Sequence, residues 1–307
     1  MYPPDCRNYK CSLSLEAGDG GFTLSWHRPE PVFPWVSIGR RASGVPLSSR
    51  RVSGRALGQV RVIISHRHRF VFFHLGKTGG SSVTLALLPQ LGSRDVVIGG
   101  LEDALTHGIP VHPGSWSVAL SPPLWPRLVR GGVRQRRLAG GLNSAVKAYY
   151  RRRGLSGPHA TPAEVRDYLD ADWSGYFKFA FVRNPWDWAV SAYFWTYRNR
   201  PPERRPDFAT YLARLEADTA EAARMRRWYF GLTLDGRPVC DMVGRFENLA
   251  EDLDAVRRRI GFAEPLCLPH AKRSSGRGHY RDHYSTQGRA AVARLFADAI
   301  ADYGYRF

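Results

Sequence analysis

The sequence predicts an α/β fold with a parallel sheet, because two separated stretches each have the pattern of a strand, a turn and a helix. The first stretch starts with the apolar run 70–75, which is too short for a helix and ends at a glycine. The second starts with a predicted strand over 177–182 and continues through Arg183 into Asn-Pro-Trp-Asp, a typical helix start. Short runs that are apolar throughout are typical of strands buried on both faces, which occur mainly in parallel sheets.

Residues 1–68 precede this pattern and differ from it in composition. They are rich in Gly, Pro, Ser and Arg, and the chain up to Arg69 holds eleven Lys/Arg against four Asp/Glu. A segment of this kind buries too little apolar surface to fold by itself. We therefore expect a poorly ordered basic leader over 1–68, with 60–64 as a candidate short strand, and one domain over 69–307. The alternative role for the leader is a basic arm that binds an anionic surface.

The whole chain of 307 residues is strongly basic, with a formal charge of +18 and a pI near 10.3. This charge favours anionic partners such as nucleic acid, anionic lipid, a polyanionic glycan or a phosphorylated cofactor. The alternative is an arginine-rich solvated surface, which has the same net charge without such a partner. The four cysteines form no C-x-x-C or zinc-finger pattern, which indicates a reducing compartment and a cytoplasmic location. The sequence has no apolar run long enough for a membrane span and no signal-peptide pattern, while peripheral membrane contact stays open.

The turn after the first strand, residues 76–82, has the composition of an anion site. Its glycines allow backbone conformations that other residues avoid, and the helix start supplies amide groups that favour phosphate. We expect Ser81 or Ser82 to cap that helix. The turn is not a Walker A sequence, since Lys77 precedes the glycines that a Walker lysine follows. The alternative is an ordinary strand-to-helix turn with an exposed lysine.

Between the two stretches, the sequence predicts a strand at 95–98 and a basic insertion over about 101–157. From Arg127 to Arg153 the insertion holds nine Lys/Arg and no acid, which fits either a solvated face or a guide for an anionic substrate. After the insertion, Thr161 and Glu164 form a capping-box pattern with proline at the first helical position. The helix that follows is expected to reach about Leu169.

The second turn predicts a helix that carries its own cap. Asn184 is the expected cap, Pro185 the first helical residue and Asp187 an acid in the first turn. Arg183 ends the strand, at the sheet edge where open α/β sheets bind ligands, and its guanidinium suits a bidentate grip on phosphate. Ser191, two turns into the helix, adds a hydroxyl.

Together the two turns resemble the paired signature of the PAPS-dependent sulfotransferases, where PAPS is 3′-phosphoadenosine 5′-phosphosulfate. In that family a Lys-Thr-Gly-Gly-Thr-Ser loop binds the 5′-phosphosulfate, and residues 77–82 read Lys-Thr-Gly-Gly-Ser-Ser. The family's 3′-phosphate motif, Arg-Asn-Pro-Trp-Asp-Arg-x-Val-Ser-x-Tyr, matches residues 183–193 except that Trp188 replaces a basic residue. Segments 158–161 and 245–249 are similar to the carbohydrate-type branch, family 2, with Pro158 in place of a lysine.

The resemblance implies a three-layer P-loop-like fold, with a central parallel β-sheet flanked by helices. It implies in-line transfer of a sulfuryl group from PAPS to a hydroxyl or amine, with no metal required. Lys77 would stabilise charge on the leaving phosphate oxygen, and Arg183 with Ser191 would recognise the 3′-phosphate. The acceptor would be a carbohydrate, with lipid and small-molecule hydroxyls as alternatives. The implied cofactor-binding residues are Lys77, Thr78, Gly79, Gly80, Ser81, Ser82, Arg183, Ser191 and Arg273.

A hydroxyl acceptor needs a general base, and histidine titrates in the right range. His159 is the first candidate, because it precedes the predicted capped helix and matches the family segment. His107 and His112 are the alternatives, followed by a carboxylate, while His74 follows the strand alternation and is expected in the core. Arg273 lies in a basic, glycine-containing segment that, by likeness to family lids, would close over the nucleotide; the alternative is a solvated loop.

Two other functions fit parts of the sequence. An ATP-dependent small-molecule kinase would use the first turn for phosphate, but it needs an acid for Mg²⁺ on a strand. Asp241, on a strand predicted at 239–245, is a weak candidate for that acid. A non-enzymatic polyanion-binding protein would explain the charge, yet it leaves both turns without a role, and no nucleic-acid-binding signature is present. The sequence does not give the oligomeric state.

Overall fold

A five-stranded sheet forms the centre of the fold in the computed structural model of the chain. The structure describes residues 61–135, 138–156, 160–218, 232–269 and 278–307. The sheet contains β1 (Arg61–Ser65), β2 (Phe70–His74), β3 (Val96–Val97), β4 (Phe177–Val182) and β7 (Met242–Arg245). A separate hairpin consists of β5 (Thr233–Leu234) and β6 (Arg237–Pro238).

The sheet is mixed, with the strand order β3-β1-β2-β4-β7. Strands β2, β4 and β7 are parallel, whereas β1 runs antiparallel to both β2 and β3. The expected parallel sheet is therefore confirmed for β2, β4 and β7 and wrong for β1. The reason is the four-residue connection 66–69, since a parallel pair needs a crossover of a dozen or more residues. Strand β1 also lies within the segment assigned to the leader, so the domain includes residues from Arg61 onwards.

Within the described residues, eleven α-helices accompany the sheet. They are α1 (Gly80–Leu87), α2 (Leu101–Thr106), α3 (Pro113–Ala119), α4 (Trp125–Gln135), α5 (Leu138–Arg151), α6 (Pro162–Leu169), α7 (Pro185–Thr196), α8 (Phe208–Ala217), α9 (Leu249–Ile260), α10 (Thr286–Leu295) and α11 (Ala297–Tyr303). In this described part of the chain, none of the helices is both long and apolar enough to cross a membrane.

The sheet separates two hydrophobic cores, one on each face. Phe70 and Phe72 belong to the smaller core, together with residues of α1 and α9. Val71 and Phe73, which alternate with them along β2, belong to the larger core, to which α5, α7 and α10 contribute. Every residue of β2 is buried, so helices cover both faces at this strand, as the uninterrupted apolar run predicts.

The segment 101–157 folds into helices α2 to α5. Leu142 and Val146 of α5 are fully buried in the larger core, so this segment is part of the domain's interior packing. Arg127 and Arg130 of α4 are exposed. Arg127 and Arg130 thus lie on an exposed surface, while apolar residues of the same segment pack into the domain.

The helix start predicted at Thr161 is confirmed. The Thr161 hydroxyl accepts a hydrogen bond from the Glu164 amide, and the Glu164 carboxylate accepts one from the Thr161 amide. Helix α6 ends at Leu169, the predicted position.

Candidate functional site

The two turns singled out in the sequence lie at one edge of the sheet. Strands β2 and β4 are hydrogen-bonded parallel neighbours, with Phe70 opposite Phe177 and Phe73 opposite Ala180. Because the carboxyl ends of parallel neighbours meet at the same edge, the first loop (residues 76–82) and the second loop (residues 183–187) leave the sheet side by side.

Helix α1 begins two or three residues earlier than a cap at Ser81 or Ser82 would place it. Gly79, in the left-handed region at φ 78°, is the N-cap residue, so Gly80 is the first helical residue. The expected capping of α1 by Ser81 or Ser82 is therefore wrong, because both lie inside the first turn. Among the described residues, no side chain provides a cap hydrogen bond at Gly79. The backbone of the preceding Lys77 is also left-handed, at φ 68°.

The glycines of the first loop are required by close packing. A Cβ atom at Gly80 would lie 1.9 Å from Cδ2 of His74, and one at Gly79 would lie 2.9 Å from Cδ2 of Leu249. The His74 ring is buried and stacks on Phe72. Gly76 differs, since a Cβ there would meet none of the described residues within 4 Å. The ring of His74 therefore lies directly beneath the start of α1, as a core residue.

Thr78 stabilises the first loop from inside. Its side chain is buried, and its hydroxyl donates to the Leu75 carbonyl at 2.9 Å. The Ser82 amide donates to the Gly79 carbonyl at the same distance, which closes a turn at the helix start. The Thr78 hydroxyl thereby fixes the conformation of the loop that presents Lys77, and the assignment of Thr78 to cofactor binding stays a prediction.

The ammonium group of Lys77 lies against helix α7. Its Nζ is 4.5 Å from the ring centroid of Trp195, which is cation–π distance. Arg198 places its guanidinium carbon 3.8 Å from the same ring centroid. Trp195 thus connects the cation of the first loop to the helix that follows the second.

Helix α7 starts as predicted. The Asn184 side-chain oxygen accepts hydrogen bonds from the amides of Trp186 and Asp187, at 3.0 and 3.5 Å, and Pro185 is the first helical residue. The Asn184 amide in turn donates to the Glu247 carboxylate at 2.7 Å. Glu247 therefore stabilises the turn that leads into α7.

Arg183 joins the two loops. Its Nε and one terminal nitrogen contact the Asp187 carboxylate at 2.7 and 2.6 Å, and its other terminal nitrogen donates to the Lys77 carbonyl at 3.0 Å. The guanidinium carbon also lies 3.9 Å from the ring centroid of Phe246. Arg183 and Asp187 are both buried, so the ion pair is screened little by water.

Trp188 provides a second link between the loops. Its indole N–H donates to the Gly76 carbonyl at 2.8 Å, and the ring is buried. Trp188 is the residue at which this chain departs from the family motif, where a basic side chain was expected. The departure exchanges a charge for a hydrogen bond that fixes the first residue of the first loop.

The remaining motif residues lie along α7. Ser191 is buried one turn after Trp188. Tyr193 donates its hydroxyl to the Pro206 carbonyl at 2.7 Å, and burial raises the pKa of this hydroxyl, which keeps it protonated as a donor. The sequence reasoning missed Trp195, although Trp188, Ser191 and Trp195 follow the helical spacing i, i+3, i+7 that marks one helix face.

The family model described as "Sulfotransferase family" matches residues 60–302, which is 243 of the 307 residues. The chain belongs to the sulfotransferase family. Its predicted likeness to the family 2 sulfotransferases is confirmed. No match was found among curated proteins or among solved structures.

Two of the residues that the resemblance assigned to this sulfotransferase cannot be located. His159 and Arg273 lie outside the described residues. The other histidine candidates have contrasting environments. His112 is buried, with its Nε2 at 2.7 Å from the Gly92 carbonyl. His107 is exposed at the end of α2, with its Nδ1 at 2.8 Å from the Asp103 carbonyl.

Asp241, the candidate magnesium ligand of a kinase, is at the wrong end of its strand. It precedes β7, and its carboxylate accepts a hydrogen bond from the Lys178 amide at 2.7 Å. The first and second loops follow the carboxyl ends of β2 and β4. They therefore lie at the edge of the sheet opposite to Asp241. In the described ranges, no group of three or more His, Cys, Asp and Glu side chains is arranged to hold a metal ion.

Proposed function

We propose that this sulfotransferase transfers the sulfuryl group of PAPS to a hydroxyl or amine acceptor. The observation that carries the proposal is the hydrogen bond from Arg183 to the Lys77 carbonyl, at 3.0 Å, which joins the two loops into one cationic site. A donor with a phosphosulfate at one end and a 3′-phosphate at the other suits a site whose two cations come from separate, rigidly connected loops. The strand–loop–helix order and the helices on both faces support a three-layer, P-loop-like fold.

The first loop supplies the donor groups proposed for the phosphosulfate. Helix α1 starts there, and the N-terminus of a helix favours an anion through its dipole and its amide groups. Ser81 and Ser82 add hydroxyls in that first turn, and Lys77 adds the positive charge. The loop contains no acidic residue that would repel the donor. These groups fit a phosphosulfate, and bound PAPS would supply the activated sulfuryl group.

Sulfuryl transfer forms a bond between the acceptor oxygen and sulfur and breaks the bond between sulfur and the phosphate oxygen. Negative charge grows on that phosphate oxygen, and a fixed cation close to it lowers the barrier. Lys77 is proposed for this role. Its contact with Trp195 supports the assignment, because the ring holds the ammonium at the site and limits its freedom.

Arg183 and Ser191 are proposed to recognise the 3′-phosphate. Asp187 fixes the plane of the guanidinium by contacting two of its nitrogens. Because Arg183 also connects the loops, loss of donor affinity alone would not prove phosphate recognition. The decisive measurement is the preference for 3′,5′-ADP over 5′-AMP. We expect Arg183→Lys to remove most of this preference, whereas an unchanged ratio would restrict Arg183 to a structural role.

The acceptor's proton requires a base, for which we propose His159. The burial of His112 and its contact with the Gly92 carbonyl support a structural role for that residue. The comparison of His159→Ala with His107→Ala and His112→Ala separates the candidates. Loss of transfer with retained binding of 3′,5′-ADP is expected for His159→Ala only. If His107→Ala alone has this effect, the base is His107.

A carbohydrate is the proposed acceptor class, on the likeness to family 2, and Arg273 is proposed to close over the nucleotide. The experiment that tests the donor is a thermal shift with 3′,5′-ADP and with ATP–Mg²⁺. We expect 3′,5′-ADP to raise the melting temperature and ATP–Mg²⁺ to leave it unchanged. Stabilisation by ATP–Mg²⁺ alone would favour the kinase alternative and overturn the proposal. Labelled PAPS with a panel of glycans, lipids and small hydroxyl compounds then identifies the acceptor.

A further inference from the structure

Helix α4 exposes an apolar stripe. Trp125, Val129 and Val133 are 62%, 53% and 74% exposed, and their spacing of four residues places them in one row along the helix. Leu120, just before the helix, is 59% exposed as well. Three large apolar side chains in one exposed row are unlike the single exposed apolar residues of an ordinary surface. Trp125, Val129 and Val133 form the exposed stripe of α4.

The exposed stripe is separate from the side of α4 that attaches to the domain. Leu124, just before the helix, and Leu128 are buried, and α4 packs along α5. Successive residues of a helix are rotated by about 100°, so Leu128 lies to one side of the row that forms the exposed stripe. The stripe and Leu128 therefore face different directions. Part of the apolar surface of α4 is therefore exposed, although Leu128 on the same helix is buried.

The charged residues that neighbour the exposed stripe in the sequence are all positive. Arg127 and Arg130 are exposed. On the helix Arg130 lies about 60° from Val133, on the flank of the stripe away from Leu128, and Arg127 lies on the face opposite the stripe. From residue 104 to residue 163 the sequence holds nine Lys/Arg and no Asp/Glu. An apolar row with an aromatic residue, and arginines on the remaining polar surface, is the pattern of a helix that lies in a membrane interface.

We infer that α4 is a docking helix for an anionic lipid surface, with the exposed stripe in the acyl boundary and Arg127 and Arg130 at the headgroups. A second copy of the chain is a poor partner, because an isologous contact would bring the same arginines together. A sulfated glycan or nucleic acid would use the arginines but leave the exposed stripe in water. An anionic lipid surface satisfies both features at once. The inference is independent of the proposed donor and acceptor.

The test uses the full chain and vesicles of phosphatidylcholine, alone or mixed with phosphatidylserine, in a co-sedimentation assay. The first variant combines Trp125→Gln, Val129→Gln and Val133→Gln, which keep good helix formers on α4. The second combines Arg127→Gln and Arg130→Gln. The matched control is Leu105→Gln on α2, which is 46% exposed but lies outside the exposed stripe. Circular dichroism and melting temperature confirm that each variant is folded.

We expect the wild type and the control to bind the mixed vesicles and to bind phosphatidylcholine alone weakly. The stripe variant should lose affinity for mixed vesicles by about tenfold or more, and the arginine variant should lose most of the preference for phosphatidylserine. The inference is overturned if the wild type does not sediment with mixed vesicles, or if the stripe variant binds as the wild type does. It is also overturned if sedimentation velocity shows a wild-type dimer that the stripe variant dissociates.

Discussion

The two loops at the sheet edge start their helices in opposite ways. At the second loop, Asn184 caps α7 with its own side chain, which occupies the amides of Trp186 and Asp187. At the first loop, the N-cap residue of α1 is Gly79, which has no side chain to offer, and in the described structure no other side chain caps it. Capping typically contributes about 1 kcal/mol to stability, so α1 gives up a stabilising interaction that α7 keeps.

The difference assigns separate tasks to the two loops. Among the described residues the start of α1 has no side-chain cap, while α7 has the Asn184 side chain as acceptor for its first amides. The backbone of the first loop is instead fixed by hydrogen bonds from residues outside it. Trp188 donates to the Gly76 carbonyl and Arg183 donates to the Lys77 carbonyl. A site of this kind is preorganised although it lacks local caps, because the neighbouring motif fixes its backbone.

The largest effect should come from removing the charge of the first loop. Lys77→Ala is expected to lower the turnover of labelled PAPS by about a hundred- to a thousand-fold, because a fixed cation at the leaving oxygen is lost. Arg198→Ala is the matched control, since it removes the other cation from the Trp195 ring. We expect that control to keep nearly full turnover. Equal losses in both variants would mean that Trp195, and not Lys77, carries the effect.

The packing of the first loop gives the next effect. Gly80→Ala should lower the free energy of unfolding by about 2 kcal/mol, because its Cβ would overlap the His74 ring. His74→Ala opens that space, so Gly80→Ala should cost much less in its presence. Gly76→Ala is the control, with little loss expected. Urea denaturation of the four variants measures the coupling, and purely additive losses would refute the contact.

The cap of α7 should matter for stability and little for chemistry. Asn184→Ala is expected to lower the free energy of unfolding by about 1 kcal/mol, since the amides of Trp186 and Asp187 lose their acceptor. Asn184→Asp keeps an acceptor oxygen but loses the donor to the Arg306 carbonyl, so its loss should be smaller. Thermal denaturation provides the measurement. If Asn184→Ala is as stable as the wild type, α7 does not depend on this cap.

The link from Trp188 should give the smallest effect and the most specific one. Trp188→Phe keeps an aromatic ring but removes the hydrogen bond to Gly76, at a cost of about 1 kcal/mol in stability. The affinity for 3′,5′-ADP should fall with it, because the first loop is less fixed. Trp186→Phe is the control, since it removes a similar hydrogen bond whose acceptor, the Arg289 carbonyl, is not part of the first loop. A loss of affinity in both variants would indicate a general effect of instability.

The sequence by itself determined the local features of the fold. The apolar run 70–75 predicted β2, and the strand, turn and helix pattern predicted β4. Thr161 and Asn184 marked the starts of α6 and α7, because such patterns and helix capping depend on residues a few positions apart. The paired motifs predicted the family. The cap of α1 was misassigned because serine and glycine both occur at helix starts, and the packing of His74 against Gly80 is what fixes the boundary.

Only the tertiary structure decided the direction of β1 and the connection between the loops. The hydrogen bonds from Arg183 to Lys77 and from Trp188 to Gly76 join residues that are 106 and 112 positions apart in the sequence. No local pattern encodes such contacts, since they exist only once β2 and β4 have paired in register. The departure at Trp188, which the motif alone marks as a lost charge, becomes a structural link for the same reason.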